Sequence, residues 1–244
     1  MIEVADRVYR LGSWVVNWYL VGDGGRFIVV DTGLPKQFDQ LEGALRPLGG
    51  TLDDVEAVVL THAHADHAGS AEEIRTEADV AVHVHEDDAD LARGEATRKN
   101  ERGYARDFLH PFSWKSTWVL ISGGALSPPP VLEVSRFSHG ETLDLPGNPR
   151  IIHTPGHTVG SACIELPDRS ALCSGDALVM LNVVTGARGP RIKPSSFNEN
   201  TSQALDSLSE IAAVSADTLL PGHGEPWTGS MASAVEAARQ VGPS

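Results

Sequence analysis

The chain is short of cysteine, of positive charge and of long apolar runs, and each shortage removes a class of protein. Only two cysteines, Cys163 and Cys173, occur in 244 residues. They are too few for a disulfide-framed secreted domain and have no CxxC spacing that would hold a metal. They fall in neighbouring strand-like stretches, ACIEL and ALCSG. They read as two buried apolar-face thiols of a reducing compartment rather than as a cross-strand disulfide. Basic residues number 19 against 33 acidic ones, a formal net charge of −14. Nucleic-acid binding depends on Lys and Arg neutralising phosphates, so the balance argues against that partner. Runs such as FIVV and AVVL fall far short of the ~20 apolar residues that span a bilayer. The first residues, MIEVADRVYRLGS, lack the basic and apolar regions of a signal peptide. No membrane partner and a cytoplasmic location follow as expectations. What is present, 41% hydrophobic and 21% charged residues, is the composition of an ordinary globular chain, long enough for one large domain.

Strand-like and helix-like stretches alternate. VYRLGSWVVNWYLVG and RFIVVDTG flank the turn GDGG and read as β. KQFDQLEGALRPL reads as an amphipathic helix stopped by Pro47 and the glycines at 49–50. VEAVVL is a short buried strand, 68–78 a helix, and VAVHVH another strand. Such alternation predicts an α/β fold. Residues from 94 to about 130 break the pattern and end in SPPP, which predicts an inserted, lid-like segment in a single domain spanning 1–244. Beyond it, RFSHGETLDLPG, PRIIHT, SACIEL and ALCSGD read as β, followed by a helix at about 199–214, a strand DTLLPGH and a last helix at about 229–241.

One stretch stands apart from this background. THAHADHAG (61–69) follows the apolar run VEAVVL and places His62, His64, Asp66 and His67 within six positions. Side chains two apart in extended or turn geometry point to the same side. Four ligand-type groups so crowded are costly unless they share a cation, and imidazole with carboxylate suits zinc or iron. Three more candidates lie downstream: His157 in HTPGHTVGS, Asp176 after ALCSG, and His223 in LLPGHGEPW. Each alone is weak, since strand-end His and Asp are usually just solvated. Together they make seven ligands, more than one four-coordinate zinc can use, and two metal ions sharing Asp176 would use them all.

These motifs, HAHADH (62–67), HTPGHTVGS, SGDAL and PGHGEPW, together with VVDTG (29–33), closely resemble those of the metallo-β-lactamase-fold hydrolases, in the same order and over most of the chain. The resemblance implies an αββα sandwich with two divalent metals, zinc first and iron or manganese as alternatives, at one edge of the β-layers. Carried over by position, His62, His64 and His157 hold one metal, Asp66, His67 and His223 the other, and Asp176 bridges them. Asp31 resembles a buried aspartate that supports such a site from behind, and a simple turn-capping role stays open. Water between two metals is acidified from 15.7 to roughly 7, so hydroxide is available at neutral pH. Asp66 would orient that water or pass its proton to the leaving group, and is the expected catalytic residue. Ser174 lacks a GxSxG elbow and reads as a strand-end polar residue. His83 and His85 share one side of a strand, and with the ligand set complete they are expected to be structural.

The resemblance also narrows the reaction. A bridging carboxylate such as Asp176 is absent from true β-lactamases of this fold, whereas thioesterase, lactonase and phosphodiesterase relatives carry it. Glyoxalase-II-like thioesterases continue into a helical glutathione-binding domain, a pattern from which this sequence departs. The expectation is a hydrolase of an ester-like, lactone or thioester bond. The alternative is a mononuclear iron sulfur-oxygenase resembling persulfide dioxygenases, with His62 or His64, His157 and Asp176 as ligands. Intact ligands make a purely interacting module a weaker third reading. Segment 92–118 holds six of the nineteen basic residues and five aromatics. It reads equally as a lid over a small apolar or anionic substrate and as helices packed on the core or on a homodimer partner.

Overall fold

The computed structural model describes residues 1–242. Seven strands form a first sheet in sequence order: β1 (Ile2–Ala5), β2 (Val8–Gly12), β3 (Asn17–Asp23), β4 (Arg26–Val30), β5 (Val55–Val59), β6 (Ala81–His85) and β7 (Ser135–Phe137). β1 to β4 pair antiparallel, while β4 to β7 pair parallel. The later chain supplies β8 (Arg150–His153), β9 (Ala162–Leu166) and β10 (Ala171–Gly175), a separate ribbon of β11 (Val179–Leu181) and β12 (Arg188–Arg191), then β13 (Thr218–Pro221) and β14 (Trp227–Thr228). The second sheet runs β14-β13-β10-β9-β8, with β10 and β13 parallel.

The period-2 pattern of these strands builds the layers. In β4, Ile28 and Val30 face the second sheet, while Phe27 and Val29 face outward. The inward set meets Ile151, Ala162, Ile164 and Leu220 of the second sheet in one buried core. The outer face of the first sheet is covered by α1 (Asp39–Leu45), α2 (Ala71–Glu77) and α3 (Ala89–Ala92). That of the second sheet is covered by α5 (Thr201–Ala212) and α6 (Met231–Val241). Asn200 and Ser230 cap these two helices by accepting from Gln203 N and Ser233 N. The result is the expected αββα sandwich. Among the described residues no helix is long and apolar enough to cross a membrane.

Three regions need comment. The segment from 94 to about 130, read equally as a lid and as packed helices, contains one twelve-residue helix, α4 (Pro111–Ser122). Its apolar side chains occupy every face, with Trp114 and Trp118 exposed at 65% and 71%, so no 3.6-residue period marks it. RFSHGETLDLPG contributes only the short β7 and one isolated bridge, Thr142 to Arg150. The helix read over 68–78 is shorter, because its first residues form turns that aim His67 inward.

Both cysteines are buried and free. Register explains why no disulfide forms: Cys173 pairs with Ile164, one residue from Cys163, so the two thiols leave opposite faces of the sheet, Cys173 into the inter-sheet core and Cys163 towards the helices. Burial pushes the Cys163 thiol up to about 12 and Cys173 well above its usual value. Neither thiol is expected to react with a disulfide reagent at pH 8 in the native protein, and both should react on denaturation. Fast modification of either before unfolding would contradict this burial.

Candidate metal centre

The carboxyl ends of the strands in both sheets meet at one edge. Parallel pairing sets Val30 beside Val59 and Gly175 beside Pro221. The residues that follow, Asp31, Thr61–His62, Asp176 and Gly222–His223, therefore emerge together. The sheets are joined at this point by Ala162 N donating to Thr61 O at 2.8 Å. Gly222 is required by proximity: a Cβ there would stand 2.5 Å from the His67 ring and 2.8 Å from Asp176 Oδ1.

All seven residues singled out from sequence converge here. His62, His64 and His157 present nitrogens that lie within 4.8 Å of one another, as do the ligand atoms of Asp66, His67 and His223. Asp176 lies between the groups and divides its oxygens. Oδ2 is 3.2 Å from His157 Nε2 and 4.0 Å from His62 Nε2, while Oδ1 is 3.1 Å from His223 Nε2 and 3.5 Å from His67 Nε2. Six of the seven are buried, and Asp66, with 16% of its side chain exposed, opens to solvent.

The hydrogen bonds behind the rings set which nitrogen faces in. Nδ1 of His67 donates to Asp31 Oδ2 at 2.7 Å, Nδ1 of His223 to the Val15 carbonyl, and Nδ1 of His157 to Asn198 Oδ1 at 3.2 Å. Thr61 gives its hydroxyl to Asp31, so the His62 Nδ1–H at 3.1 Å donates to the Thr61 oxygen. Where the ring is neutral, this leaves Nε2 as the acceptor nitrogen, pointing inward. The Nε2 atoms of His62, His67 and His223 and Asp176 Oδ1 are buried with no hydrogen-bond partner. Unpaired buried acceptors are costly, and here they share one space. His64 Nδ1 meets His157 Nε2 at 2.9 Å, a spacing at which two bare nitrogens need a proton or cation between them. The donor set of imidazole nitrogens and carboxylate oxygens fits divalent zinc or iron.

The local fields agree. Burial depresses the pKa of His62 and His64 well below normal and that of His157 to about 3, so these rings are neutral and ready to ligate. Burial would lower His67 too, but Asp176, Asp31 and Asp66 together hold it well above its ordinary value. Three carboxylates thus call for positive charge beside that ring. Burial would raise Asp176, yet His223, Lys193, His67 and His157 hold it well below the usual carboxylate range.

Four supporting residues escaped the sequence reading. Lys193, fully buried, stands 3.0 Å from Asp176 Oδ2. Asn17 donates to the carbonyls of Pro221 and Gly224, at 2.9 and 2.6 Å, and fastens the His223 loop to the N-terminal hairpin. Asn198 orients His157, as described. Asp88, fully buried, accepts from Ala63 N at 3.0 Å, Thr158 Oγ1 at 2.9 Å and Gly160 N at 2.9 Å. It ties the loop of His62 and His64 to that of His157. Asp31, doubtful as a cap, occupies left-handed backbone at φ 57° and spends its carboxylate on Thr61 and His67.

Other sequence candidates lie elsewhere. His85 stacks on His153 at 4.0 Å with rings 12° from parallel, near Asp87. The ligand atoms of His85, Asp87 and His153 lie within 4.8 Å of one another, while His85 Nδ1 accepts from Asp87 N and His153 Nε2 donates to the Val159 carbonyl. Ser174 Oγ donates to the Leu178 carbonyl at 2.7 Å. Trp18 is core, and Trp14, 51% exposed, meets Phe112 of α4 edge-on at 5.6 Å on the rim of the site.

Comparison with known proteins extends the geometry. The chain is 28% identical over 242 residues to a probable metallo-hydrolase, YflN, of Bacillus subtilis, covering 93% of this chain and 87% of that one. It is 28% identical over 182 residues to the acyl-coenzyme A thioesterase MBLAC2 of Gallus gallus, covering 72% and 61% of the two chains. Among solved structures it is similar to the metallo-beta-lactamase family protein TTHA1429 of Thermus thermophilus, with a TM-score of 0.64 and 26% identity over 94% of this chain and 77% of that one. It shares the fold of the Rm3 metallo-beta-lactamase, with a TM-score of 0.71 at 19% identity over 98% and 91%. The family model described as the metallo-beta-lactamase superfamily matches residues 11–223, a span that contains every ligand candidate, and the chain belongs to that superfamily of metal-dependent hydrolases.

Proposed function

We propose that the protein is a dinuclear metal-dependent hydrolase, zinc being the metal that best fits, acting on ester-like, lactone or thioester bonds. The observation that carries this reading is the division of Asp176, with one oxygen turned to the His62–His64–His157 group and the other to the His67–His223 side. A single ion would leave one of these groups unserved. The name borne by the thioesterase relatives supports the bond type. When bound, two divalent ions would supply Lewis acidity and a water acidified to about pKa 7.

The chain's own residues supply the rest. Asp176 sets the separation of the two groups and Lys193 fixes its orientation. Asp31, Asn198 and the Val15 carbonyl lock three imidazoles in the ligating tautomer. Burial would raise the pKa of Asp66, but His67 and His223 outweigh it, so it is ionised at neutral pH and accepts a proton from the attacking water. As the water oxygen bonds to the carbonyl carbon and the carbon–oxygen or carbon–sulfur bond breaks, Asp66 returns the proton to the leaving group.

Elemental analysis of protein purified without added metal, with a panel of lactone, thioester, phosphodiester and β-lactam substrates, tests this. Two zinc ions per chain and turnover of carbonyl esters are expected. About one iron per chain with little zinc would sink the reading in favour of the oxygenase. Asp66→Ala is expected to lower kcat about a hundredfold or more while at least one ion per chain remains bound, and unchanged turnover would reject its proton-handling role.

A further inference from the structure

Beneath α4 lies a cavity of about 360 Å³ lined largely by apolar groups, among them Leu120, Ile121, Ala125, Val183, Val184 and Phe197. Most of its polar lining is internally paired, the exception being Asp107 Oδ2, which is buried without a partner among the described residues. Ser113 Oγ donates to the His110 carbonyl at 2.8 Å, Ser116 Oγ to that of Ser113 at 3.0 Å, and Asp107 is paired with Arg102 at 3.0 Å. What it offers a ligand is therefore chiefly apolar surface. The volume is at the small end of ligand cavities.

The cavity adjoins the metal centre through Phe197. Lys193 Nζ, 3.0 Å from Asp176, is 5.2 Å from the centre of the Phe197 ring, and Asn198, the next residue, holds His157. Arg98 also lines the cavity. Its guanidinium lies 5.6 Å from the Phe197 ring and bonds to the Phe197 carbonyl at 3.3 Å and to Asn100 at 2.9 Å. The apolar chamber thus borders Phe197, which meets the cations Arg98 and Lys193, and the residue after it, Asn198, holds the ligand candidate His157.

We propose that this cavity is the acyl subsite, taking an unbranched aliphatic acyl chain of medium length and directing its carbonyl past Phe197 to the centre. The assignment rests on the hydrolase reading above. The acyl half fits better than the alcohol half, because hydrolysis turns it into a carboxylate beside Arg98 and Lys193, whereas the alcohol carries no charge.

Two measurements on the full-length protein test it. With zinc-loaded enzyme, aryl esters from acetyl to decanoyl should show kcat/KM rising about fourfold per methylene until the cavity is full. Thr117→Trp, at the cavity wall, should abolish that rise and leave acetyl ester turnover within about twofold. Ala125→Phe at the same cavity provides a second block if the first variant fails to fold. Independently, calorimetry of the as-purified protein should show octanoate binding more tightly than acetate, with the difference lost in either blocking variant. Rates that ignore acyl length, or that follow the alcohol chain instead, overturn the assignment. So does octanoate binding that both blocks leave unchanged. If no ester is turned over at all, the hydrolase reading fails, and the octanoate titration still decides the cavity.

Discussion

Asp176→Asn is expected to lower kcat/KM on any ester-like substrate by roughly a thousandfold or more, the equivalent of several kcal/mol of lost transition-state stabilisation. On the proposed dinuclear reading, metal content should fall from two ions to one or fewer. The argument is geometric: Asp176 turns one oxygen to each ligand group, and an amide offers one oxygen where the carboxylate offers two. A second consequence concerns Lys193. Its ammonium is buried against Asp176 Oδ2, and removing one partner of a buried pair costs about 3–5 kcal/mol. Asp176→Asn should therefore also lower the urea midpoint of metal-free protein. Adding Lys193→Met should recover much of that stability and none of the activity. A variant that keeps two tightly bound ions and activity within tenfold of wild type would falsify the bridging assignment.

Asp88→Ala is expected to act at a distance from the ligands. Three donors, Ala63 N, Thr158 Oγ1 and Gly160 N, converge on this one buried carboxylate. Hydrogen bonds to a charged group are worth about 1.5–3 kcal/mol each, so after partial relaxation the loss of all three should destabilise the fold by about 4 kcal/mol. Burial raises the pKa of Asp88 against the effect of those bonds, so the site is not cheap to form. Because Ala63 lies between His62 and His64, and Thr158 follows His157, metal affinity should fall about ten- to a hundredfold as well. Denaturant titration and competition with a zinc indicator read the two effects separately. Glu86→Ala, an exposed neighbour in the same acidic run, should change stability by no more than about 0.5 kcal/mol. Equal effects of the two substitutions would reject the strap role of Asp88.

The contrast between Asp176 and Asp88 shows how far the sequence could be read. The ligands are visible because metal chemistry crowds unusual donors at strand ends, where His62, His64, Asp66 and His67 have no ordinary reason to be together. The strands around them are visible because their two faces alternate between two cores. Asp88 is invisible because its partners lie 25, 70 and 72 positions away, and EDDAD looks like any solvated acidic run. Lys193 is hidden for a similar reason: a lysine signals exposure until a carboxylate elsewhere in the chain is known to meet it. The bounds of α4 were not legible because apolar residues on all sides carry no period. That same all-round apolarity leaves tryptophans outside and walls the cavity inside.

The hydrogen bond from His223 to the Val15 carbonyl joins positions 208 residues apart, and this has a consequence for the order of assembly. A ribosome adds about 5–20 residues per second, so His67 leaves the tunnel on the order of ten seconds before His223. Through that interval the histidine-rich loop has no partners from the second sheet. Both Asp176 and the N-terminal hairpin can be joined to the His223 loop only once nearly the whole chain is out. Loop closure over such a distance is entropically expensive and comes late in folding. The ligand cluster described above is therefore completed only when β13 docks, and lasting occupancy comes late in assembly.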